Sequence, residues 1–364
     1  MSRSLEQKLI ESGIAISQVD GAAPIETPWF VRAIQAFSGW LAALFLLGFI
    51  GMGAVFLLDS SVASATLGLV LIGGAYALLR QAHSDFLEHL ALAASLAGQM
   101  LVAWALASVL GSALGWDSAG LWWALLVLQV VLALVMPSLT HRTFSAFAAC
   151  LAFYLAMVET AAAPATAGGL VLLGLTVLWL NEFRWPVRVR ELEALGYGLL
   201  LGLLVIQSVG YFGQSLLLGR YFVGSGLDWL EPWAEDALGL LALLLLLRHL
   251  FRRHVHGVQP GMRVAAYAAV LLLALLSLQA RGLSHGAVVV ALGFAIGHRG
   301  VMGFGGLLLL LSITSYYYWL DVTLLAKAMT LFVLGLLLLA IRWALQRRWH
   351  AGAGVAAEEG GVEP

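Results

Sequence analysis

The side chains able to do chemistry are few in this 364-residue chain, and they lie scattered through apolar sequence. One group is Glu88, Ser95 and Gln99, which with Leu92 recur at spacings of four, three and four and so share one helical stripe. A glutamine and a serine in apolar surroundings need hydrogen-bond partners, so the stripe must face protein or water. His83, Asp85, Glu88 and His89 bunch at its mouth. Two imidazoles and two carboxylates could ligate a metal, but no tight ligand motif is present. The stripe therefore reads either as the inner half of a polar path or as a capped helix start plus an interhelical hydrogen bond.

A second group surrounds Lys327. Ser315 to Lys327 ends one apolar run with Tyr316, Tyr317, Tyr318 and Trp319, turns at Asp321 and starts another run. Lys327 lies six residues beyond Asp321, about 9 Å along a helix, where a lysine can snorkel to the headgroups. Thr323 and Thr330 share its face. An inward orientation would make Lys327 line an outward-open polar pocket or pair with Asp59, Glu159 or Asp321. Elsewhere, Ser284-His285 has no acid in sequence reach and reads as a helix cap. His249, His254 and His256 sit among Arg248, Arg252 and Arg253, where positive charge opposes cation binding and suits lipid headgroups. No HExxH, Walker loop, GxSxG or kinase signature occurs. No catalytic, cofactor-binding or metal residue is assigned, no cofactor is expected, and the chain reads as a non-enzyme.

The elements that must carry these residues are membrane helices. Hydrophobic residues make up 62% of the chain, charged residues 11%, and mean hydropathy is +0.94, whereas soluble domains carry roughly a quarter charged residues. Continuous apolar runs without strand-like alternation point to an all-α, polytopic helical bundle and not a barrel. About twelve spans are expected: 36–58, 62–80, 88–110, 120–136, 143–162, 165–183, 193–213, 235–251, 263–281, 283–299, 301–320 and 322–345. Residues 1–35 form a cytoplasmic lead-in with a short amphipathic helix at Ser4–Gly13 and a linker holding Pro24 and Pro28. Residues 346–364 form a cytoplasmic, disordered tail. The one cysteine, Cys150, can make no disulfide within the chain.

Charge tests that count independently. With the amino terminus inside, sixteen of the nineteen basic residues fall on inner segments, from Arg3 and Lys8 through Arg142 and Arg263 to Arg348. Only Arg220 and Arg281 fall outside. The outer loops hold Asp59, Asp117, Glu159, Asp228, Glu231, Glu235, Asp236 and Asp321. Both termini are therefore expected in the cytoplasm. Trp116, Trp122, Trp123, Trp229, Trp233 and Trp319 would make an outer aromatic belt, with Trp185, Trp343 and Trp349 inside. The long outer loop 214–236 reads as an interfacial cover. Gly198 and Gly202, and Gly293 and Gly297, have the spacing that lets helix backbones approach.

The Phe30-Val31-Arg32 start, Gly39 to Phe45, the Glu88 to Gln99 stripe and the Tyr316 to Lys327 hairpin resemble an uncharacterised bacterial multi-pass membrane family catalogued as domain of unknown function 4401. The resemblance covers nearly the whole chain and transfers no catalytic residue. It implies an inner-membrane location and membrane partners, among them a small protein with a GDYxxLxY motif. The net charge of −1 implies no nucleic acid partner. Two function classes follow. One is a non-enzymatic subunit of a bacterial envelope complex, embedded in the lipid bilayer. The other is a small-molecule or lipid transporter with six-helix halves at 36–183 and 193–345.

Overall fold

The structure, a computed structural model, describes residues 60–81, 85–114, 118–160, 166–213, 231–253, 260–277 and 282–319, with isolated positions between 30 and 52 and between 325 and 339. Among them there is no strand. Ten long helices are seen: α1 (Ser61–Gln81), α2 (Asp85–Leu114), α3 (Ala119–Val135), α4 (Leu139–Glu159), α5 (Thr166–Leu180), α6 (Val189–Ser208), α7 (Glu231–Arg253), α8 (Pro260–Ser277), α9 (Leu283–Ile296) and α10 (Arg299–Trp319). Five helical stretches are long and apolar enough to cross a membrane: Ser61–Gln81, Phe86–Leu110, Leu139–Glu159, Pro186–Tyr211 and Arg299–Tyr317. The ten helices fall on ten of the twelve expected spans. The first and last spans, and both terminal segments, lie largely outside the described residues.

Local sequence sets the boundaries. The ring of Pro137 pushes Met136 to an extended conformation (φ −66°, ψ 135°), which ends α3. Ser138 then caps α4, its side chain accepting from the His141 backbone N–H. Pro186 acts in the same way on Trp185, and two short 3₁₀ turns, Glu182–Arg184 and Pro186–Arg188, join α5 to α6. At α9 the expected span is too long. Gly282 (φ 75°) and Gly297 (φ 73°) stop the helix at both ends in left-handed conformations. Fourteen residues remain, about 21 Å of helix, less than a full crossing. Gly297 is thus a terminator, and the expected close-packing role for it is corrected.

The chain divides into two compact units, Met1–Ser108 and Val109–Pro364. In the first, α1 meets α2 through Gly68 and Gly98. A methyl group on either would lie 2.7 or 2.5 Å from the other's carbonyl oxygen, so only glycine permits this approach.

In the second unit eight helices alternate in direction. Trp123 at the start of α3 donates to Thr160 after the end of α4. Arg142 and Thr143 of α4 bond to Glu191 and Ala194 near the start of α6. The far end of α6 meets the starts of α5, α7 and α9 through Gln207. Ser277 at the end of α8 bonds to Asp236. Gly286, Gly293 and Gly305 interlock α9 with α10 in antiparallel register. One end of this unit therefore collects Arg142, Arg184, Arg188, Arg190, Arg252, Arg253, Arg263 and Arg299. The other collects Glu159, Glu235 and Asp236.

Between the two ends lies a dry middle. Leu172, Leu175, Leu200, Leu203, Ala242, Val288, Val289 and Leu292 are fully buried and belong to one apolar cluster. Outward faces are apolar too: Val127, Val131 and Leu134 on α3, and Val264, Leu271 and Leu275 on α8, are exposed. A helix apolar all round is what lipid on one side and protein on the other require. Packing within such a bundle rests on close van der Waals contact, because lipid tails are as apolar as leucine.

Candidate functional site

The stripe foreseen on α2 is partly resolved into contacts. Ser95 and Gln99 are buried, Glu88 is half-buried, and Gln99 Nε2 donates to Ser95 Oγ at 3.2 Å within the helix. The His89 Cβ is close to Gly39, and its Nδ1 is buried with no hydrogen-bond partner among the described residues. Among the described residues no group of three His, Cys, Asp or Glu side chains could hold a metal ion. Lys327, Thr323, Thr330 and Asp321 lie outside the described residues, as do His83, His254 and His256.

The densest polar group in the second unit was not assembled by the sequence reading. It forms where α6 ends and α5, α7 and α9 begin. Gln207, on the last turn of α6, points its Nε2 at Glu235 Oε1, 3.1 Å away. Glu235 sits in the second turn of α7. It is not the loop charge expected, because α7 already begins at Glu231. His285, on the first turn of α9, is fully buried and turns Nε2 toward the same Glu235 oxygen at 3.7 Å. Among the described residues that nitrogen has no hydrogen-bond partner. Its other nitrogen, Nδ1, lies 3.4 Å from Ser284 Oγ.

Two glycines make room for this group. A methyl on Gly168 of α5 would lie 3.0 Å from Gln207 Nε2, 3.6 Å from His285 Nε2 and 3.7 Å from Glu235 Oε1. At Gly282 a methyl would stand 1.5 Å from the Tyr211 hydroxyl, in a left-handed turn that already favours glycine. Next to Glu235, Asp236 accepts a hydrogen bond from Ser277 at the end of α8. The expected cap role of Ser284 is corrected. Gly282 is the N-cap residue, with no side-chain capping bond, and Ser284 faces the imidazole.

The arrangement has clear electrostatics. The amino-terminal ends of α5, α7 and α9 converge on it, and the positive ends of their helix dipoles favour an anionic carboxylate. The Glu235 side chain is about one-seventh exposed, whereas that of His285 is fully buried.

The opposite end is built differently. Arg142 is buried, donates from Nε to the Met136 carbonyl at 2.7 Å and pairs with Glu191 at 2.9 Å. Tyr197 of α6 packs edge-on against Trp179 and His298, with its hydroxyl 3.1 Å from His298 Nδ1. In the turn after α5, burial pushes the Glu182 carboxyl above the ordinary glutamate range. Glu193 adds to the rise and His298 opposes it. A cavity of about 40 Å³ lies here, lined by Trp179, Leu180, His249, Leu250, Arg253, Ala295 and Ile296. That is room for roughly one or two waters.

Sequence carried partial signals for the first site. Glu235 and Ser284-His285 were both noted, but as a loop charge and a cap with no acid nearby. Only the folding of α7 onto α9 brings the acid to the imidazole.

A model of the family described as Domain of unknown function (DUF4401) matches residues 28–348. No curated protein and no solved structure matches the chain.

Proposed function

The chain belongs to the family of domain of unknown function 4401, and from that premise we propose that it is a non-enzymatic, multi-pass subunit of a membrane complex. The observation that carries this reading is the dry middle of the second unit. A carrier places polar groups and broken helices near the bilayer midplane, around a site exposed alternately to each side. Here the described polar pairs that join helices lie at the two ends, and the buried polar residues between them are scattered ones such as Gln129, Thr176 and Ser312. On α6, Tyr197 and Gln207 stand ten residues apart, about 15 Å. Leu200, Leu203 and Ile206 between them are buried in the apolar cluster. Arg142–Glu191, Gln207–Glu235 and Ser277–Asp236 tie helix to helix, which suits a fixed scaffold better than a rocking one.

The same reading sets the protein in a bacterial inner membrane with its arginine-rich end toward the cytoplasm, as the positive-inside rule demands. Its partners are other membrane proteins, including a small GDYxxLxY-motif protein. The test is purification from native membranes in mild detergent, with quantification of what accompanies the chain. A complex of fixed stoichiometry is expected. Purified chain that alone moves a solute across vesicle membranes would overturn the proposal in favour of the transporter.

A further inference from the structure

We propose that Glu235 and His285 form a proton-binding site, which holds one proton on the line between Glu235 Oε1 and His285 Nε2 and exchanges it only with the bundle end where Gln207 and Tyr211 lie. The starting point is the orphaned nitrogen. His285 Nε2 is fully buried, has no hydrogen-bond partner among the described residues, and looks across 3.7 Å at a carboxylate oxygen. A buried polar atom left without a partner is costly. A proton seated between nitrogen and oxygen satisfies it.

The separation itself describes a state. At 3.7 Å the two atoms are farther apart than a charge-assisted hydrogen bond of about 2.7–2.9 Å. This fits the unloaded form, in which Nδ1–H faces Ser284 Oγ and the Nε2 lone pair faces the carboxylate. Loading takes a proton from hydronium, which leaves as water. One N–H or O–H bond forms, and the gap closes to hydrogen-bond length. Gly168 has no side chain to oppose that movement, and a methyl there would stand 3.0–3.7 Å from all three polar groups.

The surrounding groups are identifiable. Gly168 of α5 lies against the pair, and Gln207 and Tyr211 come from α6 and its following turn. On α7 the adjacent acid, Asp236, is turned to Ser277 of α8, and α9 contributes Ser284. Gln207 Nε2 already donates to Glu235 Oε1, which fixes the carboxylate for the exchange.

Access is one-sided. One helical turn inward from the site stand Leu172 on α5, Leu203 on α6, Gly239 on α7 and Val288 and Val289 on α9, all buried. Beyond them on α5 stands buried Thr176, whose hydroxyl is turned back to the Leu172 carbonyl and not toward the site. A proton therefore enters and leaves through the partly exposed Glu235. The site reports on the medium at one membrane face and does not conduct. It stands whether or not the chain is a complex subunit.

The test uses the full chain, labelled with ¹⁵N-histidine, in lipid nanodiscs across a pH series. The His285 resonance is the one that H285Q removes. Should H285Q not fold, it is the one among nine histidines that moves in G168A. In the wild type, Nε2 should change from unprotonated to protonated in a single step on acidification. E235Q should abolish that step, because an amide cannot hand over the proton. D236N should leave its midpoint within about twofold in proton concentration. A His285 that titrates alike in wild type and E235Q, or that never changes state, would overturn the site. So would loss of the step in D236N to the same extent as in E235Q.

Discussion

Substituting Gly202 by alanine tests the packing of α6 on α4 at its tightest point. A methyl there would lie 2.4 Å from Cys150 Cβ and 2.9 Å from Cys150 Sγ. Ordinary carbon contacts are about 3.5–4.0 Å, so the shortfall to Cβ is about 1.1–1.6 Å. The sulfur can rotate away, but Cβ is fixed to its backbone. The helices must then part locally by about 1 Å. Overpacking of this kind costs about 1–3 kcal/mol, while alanine regains about 0.8–1 kcal/mol of helix propensity over glycine. The net loss is thus up to about 2 kcal/mol. Gly174, on α5, supplies the control, since nothing stands within 4 Å of a methyl there. Gly174→Ala should show the propensity gain alone. Equilibrium unfolding in mixed micelles measures both, and the two variants should differ by about 1–3 kcal/mol. Adding Cys150→Gly to Gly202→Ala should recover most of the loss. Equal stability of the two alanine variants would refute the claim that this contact, and not general helix propensity, sets the α4–α6 distance.

Four further outcomes are expected. Gly282→Ala should destabilise by more than about 2 kcal/mol in the same unfolding assay, because a left-handed turn strained by about 1–2 kcal/mol is joined by displacement of the Tyr211 hydroxyl. Arg142→Met should cost about 1–3 kcal/mol, since the buried Met136 carbonyl loses its donor. For Glu182 the folded carboxyl holds its proton above the unfolded range. The folded state thus binds more protons in that window, and stability falls as pH rises from the ordinary glutamate range upward. Thermal melting of Glu182→Gln should lack this decline and be higher at neutral pH. Lastly, topology reporters placed in 254–259 and after 345 should behave as cytoplasmic, and those in 214–230 as external. An inverted result would overturn the orientation proposed here.

Much of the architecture was legible before any coordinates. Runs of leucine, alanine and valine near twenty residues long can satisfy their backbone only as helices in lipid, so α1 to α10 could be placed to within a few residues. Pro137 and Pro186 act on their neighbours through local sterics, a signal present in the sequence although the expected spans did not draw on it. The alternation of α3 to α10 had been anticipated from arginine counts, because the rule behind it sums charge over short segments and needs no knowledge of neighbours. The glycines at 198 and 202 were legible as a contact surface, though not their partners Thr143, Ala146 and Cys150. Gly297 was misjudged, since spacing cannot distinguish a packing glycine from one that terminates a helix at φ 73°.

What the sequence determined alone, then, is everything that depends on local sums: helical class, approximate spans, and the gathering of arginine at one end. What only the tertiary structure decided is which buried polar atoms meet. Gln207 finds Glu235 across 28 residues, Arg142 finds Glu191 across 49, and Tyr197 finds His298 across 101. Each meeting depends on which helices become neighbours and on the rotation of each about its axis. Many apolar faces compete for those neighbours at nearly equal energy, so close packing at glycine contacts settles the choice. The Glu235–His285 pair exists only because α7 and α9 both begin beside the end of α6.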